Sequence, residues 1–485
     1  MKNLFLNHSP KKILNYFSEI SEIPRGSANE KAISDYLVEF SKKRNLEVYQ
    51  DTYNNILIKK PATSGLENSP TVILQGHMDM VCEKNKNTIH DFSTDAIKFK
   101  IINDHIYADN TTLGADNGIA IAMFLAILDS NEIAHPNLEI LLTVEEETGL
   151  SGALNFDTRH LDGKLLINLD SEDDTEILSS CAGGVRICHR MKLKTIKRPP
   201  NFLYYNISIS GLNGGHSGMD INKEKANANK LLARVLYSIK KEMKIHIVDI
   251  SGGAKDNAIP REAETLILID KTEKENLELI IKQAQRNFLK EYSSSDNDIK
   301  VTLSYLDDTV NNCLDKSTTD KIINLLMILP NGVQSMNTEI KDLVESSINI
   351  GIVKIEQDYL SIHSAARSSL ISKKKHIINM SYSIAEIMDI ECAIDSSYPG
   401  WAYEKNSPLR KLAVSVYNKL YGEQPKIVAI HAGVECGIFK EKIPELDIIS
   451  FGPNIYDVHT PNEHISISSI KKTWEFLLEI LKTLK

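Results

Sequence analysis

Val72-Ile73-Leu74-Gln75-Gly76-His77-Met78-Asp79-Met80 reads as a buried strand that runs into a glycine and then carries an imidazole and a carboxylate two residues apart. In a strand, residues i and i+2 face the same way. A strand ending in His-x-Asp can therefore aim His77 and Asp79 at one point, as a metal ligand and the acid that orients it must be. The pattern gains weight only if other ligand-type residues stand at other strand ends.

They do. Leu138 to Val144 is a second apolar strand and runs into Glu145-Glu146-Glu147. Leu165 to Leu169 is a third and runs into Asp170. Asp116 lies between Gly114 and Gly118, just before the apolar stretch Ile119–Leu128, and a late strand, Leu446 to Phe451, leads to His459-Thr460-Pro461. In α/β sheets, ligands gather outside the carboxyl ends of the strands.

The rest of the chain divides around this frame. At 485 residues it is too long for one core and implies two domains or three. The amino-terminal part reads as a helix from Lys12 to Ile23, a second helix through Leu37 and Phe40 with Ser27 or Asn29 as its cap, and strands at Leu46–Gln50 and Asn55–Lys59. From about Val185 to Tyr398 the pattern changes to alternating strands and amphipathic helices, β-α-β-β-α roughly twice over. Strands are expected at 205–209, 245–250, 264–269, 300–305, 347–355 and 359–364, and helices at 223–242, 273–290, 318–329 and 374–388. Ser396 to Gly400 reads as a linker, and Ser407 to Tyr421 as a helix returning to the first domain. The expected fold is α/β: a catalytic domain (1–184 and 399–485) with a mixed twisted sheet flanked by helices, and an inserted α+β domain (185–398).

Composition narrows the function classes. A net charge of −9 argues against nucleic acid as the main partner. Six scattered cysteines (82, 181, 188, 313, 392 and 436) with no C-x-x-C pair point to a reducing compartment. The amino terminus lacks a signal-peptide pattern, and Ile119–Leu128 is about half a membrane span. The expectation is a cytoplasmic protein with no membrane partner.

The candidate ligands are thus His77, Asp116, Glu147, Asp170 and His459. Two histidines with three carboxylates form an N/O set that suits zinc, manganese or cobalt at two adjacent positions. Two metals about 3.5–4 Å apart can share one carboxylate, and Asp116, flanked by glycines, is best placed to be shared. Such a site needs a base for the attacking water. Glu146, next to a ligand on a strand end, is the candidate.

Gly76-His77-Met78-Asp79, Gly114-Ala115-Asp116-Asn117-Gly118, Glu146-Glu147-Thr148-Gly149 and His459-Thr460-Pro461 resemble the co-catalytic zinc exopeptidases of the aminoacylase and carboxypeptidase clan. Further stretches resemble its aminoacylhistidine dipeptidase (Xaa-His dipeptidase) branch: Ile23-Pro24-Arg25-Gly26-Ser27, Asn168-Leu169-Asp170-Ser171-Glu172, Gly214-Gly215-His216-Ser217-Gly218, Asn257 to Ala263, and Ile430-His431-Ala432-Gly433-Val434-Glu435-Cys436-Gly437. Together they span nearly the whole chain.

The resemblance implies two divalent ions per chain, most often zinc, with manganese or cobalt as alternatives. Asp116 would bridge them, His77 and Asp170 would complete one position, and Glu147 and His459 the other. Glu146 would be the general base, Asp79 would orient His77, and a cis peptide would follow Asp116. The inserted domain would be a lid that can also form a homodimer, with His216 stabilising the oxyanion. Asn257 and Arg367 would hold the substrate carboxylate, and His431 and Glu435 would lie near the substrate amine. The implied activity is hydrolysis of unblocked dipeptides, Xaa-His among them. The rivals are an N-acyl amino acid deacylase or metallocarboxypeptidase with the same metals, and a metal-binding scaffold without catalysis.

Overall fold

The computed structural model describes residues 5, 8–307 and 310–484. The chain forms two compact units: Met1–Ser180 with Trp401–Ala429 and Val434–Lys485, and Cys181–Gly400 with Ile430–Gly433. The boundaries fall at 180/181 and 400/401, not at 184/185 and 398/399. The short return Ile430–Gly433 to the second unit has no counterpart in the sequence reading.

The first unit is built on an eight-stranded mixed sheet. At its centre Leu138–Thr143, Val72–His77, Leu165–Asn168 and Asp447–Ser450 lie side by side and parallel. Glu47–Gln50 and Ile56–Lys60 continue it antiparallel on one side. Every residue of Val72–His77 and of Leu138–Thr143 is buried, as expected for parallel strands covered on both faces. That is why they read as apolar runs. The helix Ala115–Leu128 is buried almost all round, the mark of a core helix, and Lys11–Ile20 packs on it. The parallel arrangement brings the carboxyl ends of three strands, and with them His77, the Glu145–Glu147 run and Asp170, to one edge.

The second unit is an antiparallel sheet in the order 300–306, 202–210, 263–270, 245–252, 344–356, 359–368, 183–192 and 391–398, with 332–336 paired to 344–356. Four helices accompany it: Ala228–Glu242, Lys274–Glu291, Lys316–Ile328 and Ile371–Met388. Ala228–Glu242 begins five residues later than expected, where the Asn227 side chain accepts from Lys230 N–H and satisfies a free helix-start donor.

Among the strands that the sequence reading did not expect, two bear on the second unit's sheet edge. Gly183–Lys192 and Glu391–Tyr398 pair with each other, so the expected linker at 396–400 is strand as far as Tyr398. Both carry polar or charged residues on outward positions, the first opens on two glycines and the second carries Ser396-Ser397 near its end, which hides their period-2 pattern. The helix Lys31–Lys42 has no side-chain cap. Ser27, expected there as one of two caps, instead donates to Asp79 (2.8 Å).

Candidate active site

At the end of Val72–His77 the imidazole of His77 is 1 % exposed. Its Nδ1 lies 3.2 Å from Asp79 Oδ1. Its Nε2 faces two carboxylates, Asp116 Oδ1 at 3.1 Å and Asp170 Oδ1 at 3.3 Å. His459 faces two others: its Nε2 is 3.3 Å from Asp116 Oδ2 and 3.0 Å from Glu147 Oε2. Asp116 therefore presents one oxygen to each imidazole, and each imidazole has a second carboxylate of its own. The peptide after Asp116 is cis.

The electrostatics follow from this crowding. Burial drives Asp170 up to about 6, with Asp116 and Glu147 adding to the rise. Burial likewise takes Glu172 up to about 7. Burial and the charges of Asp170, Glu435 and Glu147 push the Glu146 carboxyl well above the usual range. His459, bonded to Asp116 and Glu147, is pushed up to about 11. A negative field of this kind, lined by imidazole nitrogen and carboxylate oxygen without sulfur, fits hard or borderline divalent cations. Each group, His77–Asp116–Asp170 and Asp116–Glu147–His459, brings three donor atoms within 4.8 Å of one another.

The triple glutamate does not end in a loop. Glu146–Gly149 is a single helical turn entered through Glu145 in the left-handed region (φ 51°). Asp79 anchors that turn: its carboxylate accepts the backbone N–H of Glu146 at 3.0 Å and of Glu147 at 3.2 Å. Glu147 turns to His459, while the Glu145 carboxylate turns away and accepts from Ser151.

Two supporting residues carried no assigned role in the sequence reading. Glu463 is 2 % exposed. Its carboxylate accepts the backbone N–H groups of Leu113 (2.7 Å), Gly114 (3.0 Å), Ala115 (2.8 Å) and Asp116 (3.4 Å). It holds the loop that carries Asp116. Arg25, equally buried, donates to the carbonyls of Gly114, of Met78 (3.1 Å) and of Asp79 (3.3 Å). A Cβ at Gly114 would come 2.6 Å from this guanidinium, and one at Gly118 2.5 Å, so the two glycines make room for it. The signals were available: Glu463 lies four residues after His459, and Arg25 within a quoted family stretch.

Glu435 is fully buried and accepts from the Gln75 amide (2.5 Å) and the Thr143 hydroxyl (2.7 Å). Burial, with Asp170, pushes it up to about 8.

The second unit gathers the remaining candidates. His216 stands in a two-residue strand paired with Ala258–Ile259. Its Nδ1 accepts from Gly218 N–H (3.3 Å) and Met219 N–H (3.1 Å), which leaves Nε2 as the protonated, donating nitrogen. Burial and the nearby Arg367 push its pKa down. His431 lies 2.7 Å through Nε2 from the Ser347 hydroxyl, and burial, Arg367 and His216 push it down to about 3. Arg367 is 7 % exposed, donates to Tyr398 Oη (3.0 Å) and keeps a buried Nε without a partner. Asn257 accepts Ser217 N–H through its backbone carbonyl (2.8 Å), which places it beside His216.

Strand-end acids and imidazoles on a mixed sheet, with one carboxylate turned to both imidazoles, have the form of a two-metal hydrolase centre. The chain belongs to peptidase family M20/M25/M40, which matches residues 73–483. It is 37 % identical over 477 residues to the cytosol non-specific dipeptidase of Escherichia coli (strain K12), covering 98 % of both chains. Its structure is similar to that of an aminoacylhistidine dipeptidase from Vibrio alginolyticus, with a TM-score of 0.93, 35 % identity and coverage of 99 % of this chain and 98 % of the other. A Staphylococcus aureus tripeptidase shares the fold at a TM-score of 0.57 and 18 % identity, over 98 % of this chain and 99 % of that one. Among the described residues no helix is long and apolar enough to cross a membrane.

Proposed function

We propose that the protein is a cytoplasmic dipeptidase that hydrolyses unblocked dipeptides, Xaa-His among them, with two divalent cations, zinc being the expected native metal. The observation that carries this is Asp116, with one oxygen toward His77 and the other toward His459. His77 and Asp170 would hold one cation, Glu147 and His459 the other, and Asp116 both. When bound, such a pair supplies Lewis-acid polarisation of the scissile carbonyl and charge neutralisation for the attacking water.

The chain's own residues do the rest. Asp79, beside Nδ1 of His77, fixes the tautomer that offers Nε2 to the site. Through the same carboxylate it sets the turn on which Glu146 sits. Glu146 accepts the proton of the attacking water and returns it to the leaving amine. His216, with Nε2–H free to donate, is assigned to the developing oxyanion. The unpartnered Nε of Arg367, with Asn257 beside His216, is assigned to the substrate carboxylate. His431 and Glu435 are assigned to the substrate amine end, Glu435 acting from its buried position through Gln75 and Thr143. The second unit is taken as a lid and a surface for homodimerisation.

The test is a panel of free dipeptides against their N-acylated analogues, with metal analysis of protein loaded with zinc, manganese or cobalt. Turnover of free dipeptides with two ions per chain is expected. Preference for the blocked analogues would move the reading to a deacylase. One ion in fully active protein would remove the two-metal scheme.

A further inference from the structure

The outward face of the second unit's sheet carries a cluster that the peptidase reading does not use. The strand Gly183–Lys192 alternates from Val185 on. Val185, Ile187, His189 and Met191 are buried, and Arg186, Cys188, Arg190 and Lys192 point outward. His363 of the next strand stands directly opposite Cys188. On the other side Ala393 is opposite Cys188, and the register then slips between Ile394 and Ser396. That bulge adds Asp395 as an extra residue, and bulges re-aim side chains in this way.

His363 and Asp395 are on strands two positions apart, about 9.5 Å at ordinary strand spacing. Yet His363 Nδ1 and Asp395 Oδ2 come within 3.8 Å. The two side chains lean over the strand between them, and the thiol, imidazole and carboxylate atoms all lie within 4.8 Å of one another.

The neighbouring charges are already engaged. Arg186 pairs with Asp256, Arg190 lies over the Tyr359 ring, and Lys354 pairs with Glu356. A nucleophilic Cys-His-Asp triad is disfavoured, because burial and Asp395 push the Cys188 thiol up rather than down. The surrounding backbone N–H groups belong to the sheet ladder and form no oxyanion hole.

We propose that Cys188, His363 and Asp395 bind one zinc-like divalent cation on this face, one ligand from each of three adjacent strands. An S, N and O donor set of this kind suits a borderline-soft cation, with water completing four-coordination. The site shares no residue with the groups around Asp116. It lies away from the ends of these strands, where Arg367 donates to Tyr398, and ties three neighbouring strands together without touching that pair.

Cobalt(II) is the probe. The groups around Asp116 contain no sulfur, so a thiolate-to-cobalt charge-transfer band in the near ultraviolet reports a cysteine ligand. Cys392 packs among Ile187, Val185 and Ile377 on the opposite face. Wild-type protein saturated with cobalt is expected to show the band. Cys188→Ser should lose the band and one metal equivalent while its peptidase turnover stays unchanged. His363→Ala should weaken that equivalent by more than about 100-fold, beyond the loss from an outer-shell change. The one-equivalent difference does not depend on how many ions Asp116 and its neighbours take. No band in the wild type, or a band that survives Cys188→Ser, would overturn the proposal.

Discussion

The two units treat histidine in opposite ways. In the first, His459 sits between Asp116 and Glu147 and is pushed up to about 11. In the second, His431 is pushed down to about 3 by burial, Arg367 and His216. The first cluster is made of acceptors and is negative, so it is complementary to cations. The second is made of donors around an arginine with a spare N–H, so it is complementary to an anion. The same side chain is paired with carboxylates in one field and is a neutral hydrogen-bond partner in the other, and the neighbours alone decide which.

That contrast can be broken at four points. The largest effect is expected from Glu146→Gln, which removes the proposed proton acceptor of the first unit and none of the proposed ligands. Turnover should fall by about 10²–10⁴-fold with two metals still bound; a rate that survives it, lost instead in Glu145→Gln, would shift the base by one residue. His216→Ala comes next. An oxyanion donor lost from the second unit should lower kcat and kcat/KM together by about 10²–10³-fold, again with full metal content, and a kcat near wild type would end that role.

Glu463→Gln probes the support beneath the acidic cluster. An amide can accept at one position and must meet backbone N–H groups at the other. Metal affinity, measured by competition with a chelator, should drop about 10–100-fold, and unfolding in urea should cost about 1–3 kcal/mol. An unchanged affinity would show that the Asp116 loop holds itself.

The smallest effect is on stability against pH. The pKa of His431 is lowered from 6.5 to about 3 on folding, so between those values the unfolded chain binds more protons and stability falls as pH falls. Removing the group should flatten this: in His431→Asn the urea midpoint should decline less between pH 6.5 and 3 than in wild type. Equal slopes would mean that His431 is not held neutral.

The same division governs what could be read from sequence. Val72–His77, Leu138–Thr143 and Leu165–Asn168 are legible because a parallel strand covered on both faces is apolar throughout, and the polar residue that ends each run stands out. Gly183–Lys192 and Glu391–Tyr398 were missed because one face is solvated and carries Arg186, Arg190 and Asp395. Glu463 and Arg25 stood close to quoted motifs, but their roles could not be read for another reason. They act on backbone groups of a loop up to 350 positions away, and no local pattern encodes a bond to a remote main chain. The return of Ile430–Gly433 to the second unit is likewise a tertiary fact.

Asp79 gives the first unit a particular fragility. One carboxylate receives the Ser27 hydroxyl, faces His77 Nδ1 and anchors the amides of Glu146 and Glu147. The orientation of His77 and the placement of Glu146 therefore share a single mechanical reference. A substitution that retunes the basicity of His77 through Asp79 also shifts the turn bearing Glu146, and drift in that turn feeds back on the imidazole. Changes at Asp79, His77 and Glu146 cannot be independent in their effects, and the chain can explore new chemistry at one of the three only by revising the others with it.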